Sequence, residues 1–129
     1  MPLQQLDHVN IQTCNLDAMV DWYQTILGME NGARPPFPFP GAWLYAGDQA
    51  AVHLIGVDKE LDAPAPQIEH FAFSATGLSD FLARLDEASH AYQPVRVPGL
   101  GILQINLLDC DGNHIHVDFS PQEADAAGL

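Results

Sequence analysis

Six histidines, His8, His53, His70, His90, His114 and His116, stand out in a chain with only four Lys+Arg. A neutral imidazole ligates metals and exchanges protons near neutral pH, so their placement limits the chemistry open to the chain. Four of them recur as two pairs at nearly the same interval. Leu6-Asp7-His8-Val9-Asn10-Ile11 returns 62 residues later as Ile68-Glu69-His70-Phe71-Ala72-Phe73, and His53 returns 63 residues later as His116. Each stretch alternates apolar and polar residues, the period of a strand with one buried face. Val9 and Ile11 oppose His8; Val52 and Leu54 oppose His53; Phe71 and Phe73 oppose His70; Ile115, Val117 and Phe119 oppose His116. The apolar sets are expected to face helices, which leaves the four histidines on the other face of the sheets. A lone strand histidine more often serves core or surface. Two pairs on one face, related by an internal duplication, point to a site.

Other side chains join this face or lie near it. His114 and Asp118 share the His116 face, where Asp118 would orient an imidazole, relay a proton or simply line the rim. His114 would support a ligand or stand exposed on its strand, and His90 follows a helix in a polar, solvated stretch. Trp43 and Tyr45 alternate on one strand after Phe37 and Phe39, giving an aromatic wall for a substrate or a cover for the core or a dimer interface. Gln104 and Asn106 alternate with Leu103, Ile105 and Leu107, so both are expected on the site face, within hydrogen-bonding reach of a substrate. Arg34 and Arg96 are either carboxylate clamps or surface salt-bridge partners. Cys14 and Cys110 lack basic neighbours that would activate a thiol and are expected to be reduced and partly buried. No glycine-rich phosphate loop is present.

The elements that must position these residues repeat as well. A helix is expected from about Asn15, its N-cap, to Leu27, with Leu16, Met19, Val20, Tyr23 and Ile26 or Leu27 as its stripe and Gly28 as its stop. A second helix is expected over about 78–88, with Leu78, Phe81, Leu82 and Leu85 on one face. Strands follow each helix, at about 30–34, 42–46 and 51–56 and again at 93–97, 100–108 and 113–119. They are separated by turns at Ala46-Gly47-Asp48-Gln49 and Asp109-Cys110-Asp111-Gly112-Asn113. The fold class is therefore α+β, with two β-α-β-β-β modules at about 4–57 and 68–120. A linker spans 58–67, and 121–129 reads as a frayed acidic tail.

The chain's 129 residues suit a single domain, and 47% hydrophobic residues suffice for a core, which excludes a disordered chain. Seventeen Asp+Glu against four Lys+Arg give a net charge of −13. Nucleic acid, an anionic membrane surface and polyanionic cofactors are disfavoured as partners, because neutralising phosphates takes basic residues. No apolar run approaches the roughly 20 residues of a membrane span, and the first residues do not resemble a signal peptide. A cytoplasmic location is expected.

Leu6-Asp7-His8-Val9, the segment Asp21-Trp22-Tyr23-Gln24-Thr25-Ile26-Leu27-Gly28-Met29, Ile68-Glu69-His70-Phe71-Ala72-Phe73 and Asp109-Cys110-Asp111-Gly112-Asn113-His114-Ile115-His116-Val117 resemble the vicinal oxygen chelate superfamily of glyoxalases, bleomycin-resistance proteins and extradiol dioxygenases. The resemblance covers nearly the whole chain. It implies a cupped mixed sheet around a divalent metal with ligands from the first and last strands of each module, here His8, His53, His70 and His116. It also implies a homodimer whose metal sites take ligands from both subunits, and a small-molecule substrate. His116 stands where the family usually has a glutamate, and His53 where glyoxalases usually have a carboxylate or amide. Cys110 replaces a proline of the turn.

All-imidazole ligation favours zinc, nickel or iron over magnesium or calcium, with manganese less favoured. It leaves the ion's charge uncompensated, hence a stronger Lewis acid. Protons compete for imidazole, so affinity should fall below about pH 6–6.5. Three activities follow from the resemblance: glyoxalase-like lyase or isomerase chemistry, extradiol-type ring cleavage, and non-catalytic drug binding. The first is favoured. Extradiol enzymes use two histidines and one carboxylate, and sequestration needs no histidine cluster.

Overall fold

Each half of the chain folds into the same strand–helix–three-strand unit. The computed structural model describes residues 5–6, 8–58, 68 and 70–129, which divide between the units Met1–Ala65 and Pro66–Leu129. In the first unit β1 (Val9–Thr13), α1 (Leu16–Thr25), β2 (Glu30–Gly32), β3 (Gly41–Ala46) and β4 (Gln49–Gly56) follow in order. In the second come β5 (Phe71–Ser74), α2 (Leu78–Glu87), β6 (Gln93–Arg96), β7 (Leu103–Leu108), β8 (His114–Phe119) and an added α3 (Pro121–Ala126). The sheets run β1-β4-β3-β2 and β5-β8-β7-β6. In both, the first and last strands of the unit pair in parallel and the rest are antiparallel. The α+β class and the duplicated module are thus observed. The expected linker 58–67 lies outside the described residues except for Asp58, as do Asp7 and Glu69 of the repeated motif.

Burial follows the strand alternation. Leu44, Val52 and Leu54 are buried in the first sheet, and Leu103, Ile105, Ile115, Val117 and Phe119 in the second. Each such side chain contributes on the order of 2 kcal/mol by leaving water. Helix α1 buries Met19, Trp22 and Tyr23; Trp22 extends the expected stripe, because it follows Met19 by three residues. Gly28 ends this helical stretch at φ +69°, a conformation that costs glycine no Cβ strain. Asn15 occupies the N-cap position, yet its side chain makes no capping bond. The Thr13 hydroxyl instead accepts a hydrogen bond from the Asn15 N–H at 2.9 Å.

Residues 121–129 are not a frayed tail. Ser120 caps α3 by accepting from the Glu123 N–H at 3.2 Å, Pro121 opens the helix, and Ala124 is fully buried. Helix α2 starts at Gly77, which has no side chain to cap with. Glu123 fills that role: its Oε1 accepts from both the Gly77 and Leu78 N–H groups at 2.9 Å, and its charge suits the positive helix end. Arg96 fixes the other end of α3, donating to Asp125 at 2.5 Å and to the Leu129 main-chain oxygen at 2.7 Å. Glu123→Ala is therefore expected to lower stability by about 1–2 kcal/mol. Amide exchange should accelerate at Gly77 and Leu78. Unchanged unfolding midpoints and unchanged exchange there would remove the capping role.

Smaller boundary corrections have local causes. Leu100 sits in a turn rather than in β7, because Gly99 and Gly101 take positive φ and Gly101 N–H bonds to the Val97 carbonyl. The ladders of β1 and β5 begin at Val9 and Phe71, so His8 and His70 immediately precede their strands. Cys14 and Cys110 are exposed rather than partly buried, and neither forms a disulfide.

Candidate metal centre

The two histidine pairs occupy equivalent places in the two units. His53 stands opposite Asn10 in the β1–β4 ladder, and His116 stands opposite Ala72 in the β5–β8 ladder. Asn10 lies two residues after His8, and Ala72 two residues after His70, so each strand-entry imidazole lies on the face of its partner. The rings touch in both units. His8 and His53 stack at 3.9 Å and 10°, and His70 and His116 meet at 4.6 Å and 42°.

The pairs differ in orientation. Imidazoles sharing one tetrahedral ion have centroids about 5 Å apart, given metal–nitrogen bonds of about 2.1 Å. Their lone pairs lie in the ring planes, so the rings must be inclined to one another. His70 and His116 meet both conditions. His8 and His53 are nearly parallel, and one ring must turn before both can face one ion. Among the described residues, no three His, Cys, Asp or Glu side chains converge in ligand geometry. The donor type fits a divalent transition metal; the first pair reaches it only by ring rotation.

Hydrogen bonds assign the nitrogens. Asp118 Oδ1 lies 2.5 Å from His116 Nδ1, which places the proton of the neutral ring on Nδ1 and its lone pair on Nε2. This is the carboxylate–imidazole arrangement that orients metal-binding histidines. His116 is buried and Asp118 half-buried. His53 Nε2 donates to the Ala50 carbonyl at 3.0 Å, which leaves the lone pair on Nδ1. The two modules thus present opposite ring nitrogens.

Other expected site residues sort clearly. His114 Nε2 donates to Asn106 Oδ1 at 2.7 Å, and Asn106 Nδ2 donates to the Gln93 carbonyl at 3.2 Å. Both ends of the Asn106 amide are engaged by the protein. The His114 ring lies 5.4 Å from His70. Gln104 is half-buried beside Asp118, its ladder partner. Trp43 stacks on His53 at 4.0 Å and 9°, so His8, His53 and Trp43 form one column of rings. Phe37 lies 6.4 Å from Trp43 and stacks on Phe39.

Two expected substrate contacts are engaged by the protein itself. Tyr45 keeps the alternation of β3 with Trp43 and lies over β2, where its hydroxyl donates to the Ala33 carbonyl at 2.5 Å. Arg96 is not a substrate clamp, because its guanidinium donates to Gly101, Asp125 and Leu129.

Hollows among the described residues border these side chains. A cleft of about 670 Å³ is lined by Gln5, His8, Trp43, Asp48, Gln49 and His53. Gln49 had no chemical signal in the sequence beyond its place after a turn. A cavity of about 130 Å³ includes Asn10, Arg34, Phe37, Phe39, Trp43 and His53. A cleft of about 590 Å³ includes His90, Tyr92, Asn106 and His114. His90 is half-buried there rather than solvated, its Nδ1 donating to the Ala91 carbonyl at 2.7 Å. Burial and the Asp86 carboxylate push the Tyr92 hydroxyl above its ordinary pKa.

Comparison with known proteins agrees with this architecture. The family model of the Glyoxalase/Bleomycin resistance protein/Dioxygenase superfamily matches residues 5–117. The chain belongs to this superfamily. A curated superfamily relative, Glyoxylase I 4 of Arabidopsis thaliana, is 27% identical over 123 residues, covering 89% of this chain and 70% of that protein. The glyoxylase/bleomycin resistance protein/dioxygenase domain from Frankia sp. EAN1pec superposes with a TM-score of 0.74 at 20% identity, over 92% of this chain and 99% of that one. Lactoylglutathione lyase from Agrobacterium tumefaciens superposes with a TM-score of 0.71 at 19% identity, over 95% and 98%. At these identities the superpositions show the superfamily's two-module fold. Among the described residues no helix is long and apolar enough to cross a membrane.

Proposed function

We propose that this superfamily member is a cytoplasmic, homodimeric, metal-dependent enzyme acting on a small oxygenated substrate by lyase or isomerase chemistry. His8, His53, His70 and His116 would hold the ion. The observation that carries this is the equivalence of the two imidazole pairs, each in ring contact at the same ladder position of its module. An ion on nitrogen ligands, zinc, nickel or iron in preference to manganese, would supply Lewis-acid polarisation of a substrate oxygen.

The chain's own groups provide the rest. Asp118 holds the His116 ring in one orientation and can accept its Nδ1 proton along the 2.5 Å contact. With His116 in place of the superfamily's usual glutamate, Asp118 and His114 are the groups on this face able to hold a proton. His114 is the weaker candidate, since Asn106 already takes its Nε2 proton. Trp43 covers one face of the His53 ring.

The aromatic residues Phe37, Phe39 and Trp43 favour a second reading, extradiol-type cleavage of an aromatic ring. The absence of a carboxylate from the proposed ligand set speaks against it. Non-catalytic binding of a cationic drug suits the net charge of −13 but gives the aligned histidines no role.

The shared-site dimer is tested by mixing His8→Ala with His116→Ala protein. If each site takes His8 and His53 from one subunit and His70 and His116 from the other, a mixed dimer has one doubly damaged site and one intact site. Metal content should then rise above that of either variant alone. No recovery after verified subunit exchange would assign the ligands to one chain. His116→Glu restores a carboxylate at the superfamily's usual position and should retain metal, because oxygen and nitrogen donors both serve zinc and iron. Metal loss in that variant would contradict a ligand role for residue 116.

A further inference from the structure

The strongest unassigned feature is a positive charge against a pair of stacked phenylalanines. Arg34 is half-buried, with its guanidinium 5.2 Å from the Phe37 ring centroid and 5.1 Å from that of Phe39. One nitrogen, Nη2, donates to the Phe39 carbonyl at 2.9 Å. Among the described residues no carboxylate pairs with it, in a chain that carries 17 Asp+Glu. Arg96, by contrast, is engaged by Asp125 and main-chain oxygens.

Glycine and a cavity adjoin this side chain. A Cβ built on Gly41 would stand 2.4 Å from the Leu54 carbonyl oxygen, so the strand needs glycine there, and this leaves Arg34 Nη2 room to lie 2.8 Å from that Cβ position. The cavity of about 130 Å³ beside it is lined by Phe37, Phe39, Trp43, His53 and Asn10. Its volume is of the order of the roughly 150 Å³ apolar cavity that accepts a benzene molecule, so it limits an occupant to about one small ring or a short branched chain. Aromatic faces hold a guanidinium in place without neutralising it. Its remaining N–H groups favour a planar anion that can accept two parallel hydrogen bonds.

We infer that Arg34 is a specificity-determining residue for a small apolar or aromatic monocarboxylate, whose carboxylate it binds and whose hydrocarbon part rests against Phe37, Phe39 and Trp43. This rests on the reading of the histidine face as the reaction site, since His53 borders the same cavity. It narrows the substrate to carboxylic acids bearing an oxygenated carbon. Neutral carbonyl compounds and large polyanionic conjugates are disfavoured.

The test uses benzoate and its neutral isostere benzamide on the full-length protein, followed by calorimetry and by tryptophan fluorescence. Benzoate should bind at least tenfold more tightly than benzamide. Arg34→Gln should abolish that preference, while Arg34→Lys, which keeps the charge but loses the planar fork, should retain part of it. Metal content is measured on the same samples and should be unchanged in both variants. Equal binding of the two probes by the unsubstituted protein, or a preference that survives Arg34→Gln, overturns the assignment. Because the comparison of probes needs no variant, a variant that fails to fold leaves the inference open to refutation. Normal metal content without carboxylate preference would refute this inference alone. Carboxylate preference in a protein that binds no metal would refute the metal reading alone.

Discussion

Asp118→Ala is expected to weaken divalent-metal binding by about 10- to 100-fold while leaving the fold intact. The carboxylate fixes the His116 ring through Nδ1 at 2.5 Å, and outer partners of this kind cost metal affinity on that scale when removed. Asp118 is half-buried and forms no part of the apolar face of β8, so the alanine leaves no large cavity. Asp118→Asn should fall between the two, because its carbonyl oxygen still accepts the Nδ1 proton but carries no charge. Titration calorimetry with zinc, beside circular dichroism of each variant, gives the comparison. Unchanged affinity in Asp118→Ala would reduce the contact to a strand-surface ion pair.

Asp109→Ala carries the largest expected loss of stability, about 2–4 kcal/mol. The residue is buried and closes the turn between β7 and β8. Its Oδ1 accepts from the Asp111 and Asn113 N–H groups at 2.9 Å, and Oδ2 accepts from the Asn113 side chain at 2.8 Å. Alanine leaves these donors without their partner in a partly buried turn, at about 1–3 kcal/mol for each group that water fails to reach. Gly112 at φ +84° completes the turn. Because the turn sets the register that carries His114 and His116 into β8, the variant should also lower metal content. Asp109→Asn, which keeps the Oδ1 acceptor, should lose less than half as much. Urea midpoints for the three proteins decide the matter. A shift equivalent to under about 0.5 kcal/mol for alanine would mean that the backbone holds the turn alone.

The residues that were legible in the sequence share a physical basis: they depend on short-range periodicity. Strand alternation placed His53 and His116 opposite Val52, Leu54, Ile115 and Val117, and the duplication made the first and last strands of each unit equivalent. What alternation does not encode is contact between distant positions. Arg96 is engaged by residues 29 and 33 positions further on, so its occupation could not be read locally. Tyr45 alternates with Leu44 as expected, but its hydroxyl is taken by the Ala33 carbonyl, a partner 12 residues earlier that alternation does not encode. Helix α3 carried a readable signal, Ser120-Pro121 followed by Glu123, masked by its shortness and acidic composition. Its worth lies in a cap delivered to Gly77, 46 residues earlier. Ring orientation, stacked for His8 and His53 but inclined for His70 and His116, has no signature in spacing at all.

Metal analysis of protein purified without an affinity tag tests the imidazole site most directly. One divalent ion per chain is expected, with zinc or nickel supporting lyase or isomerase chemistry and iron supporting ring cleavage. The ion should be lost from His8→Ala and from His70→Ala, one variant from each module, with both variants still folded. Full metal content in both would contradict the site, and a folded unsubstituted protein that takes up no divalent ion would leave a binding protein as the better description.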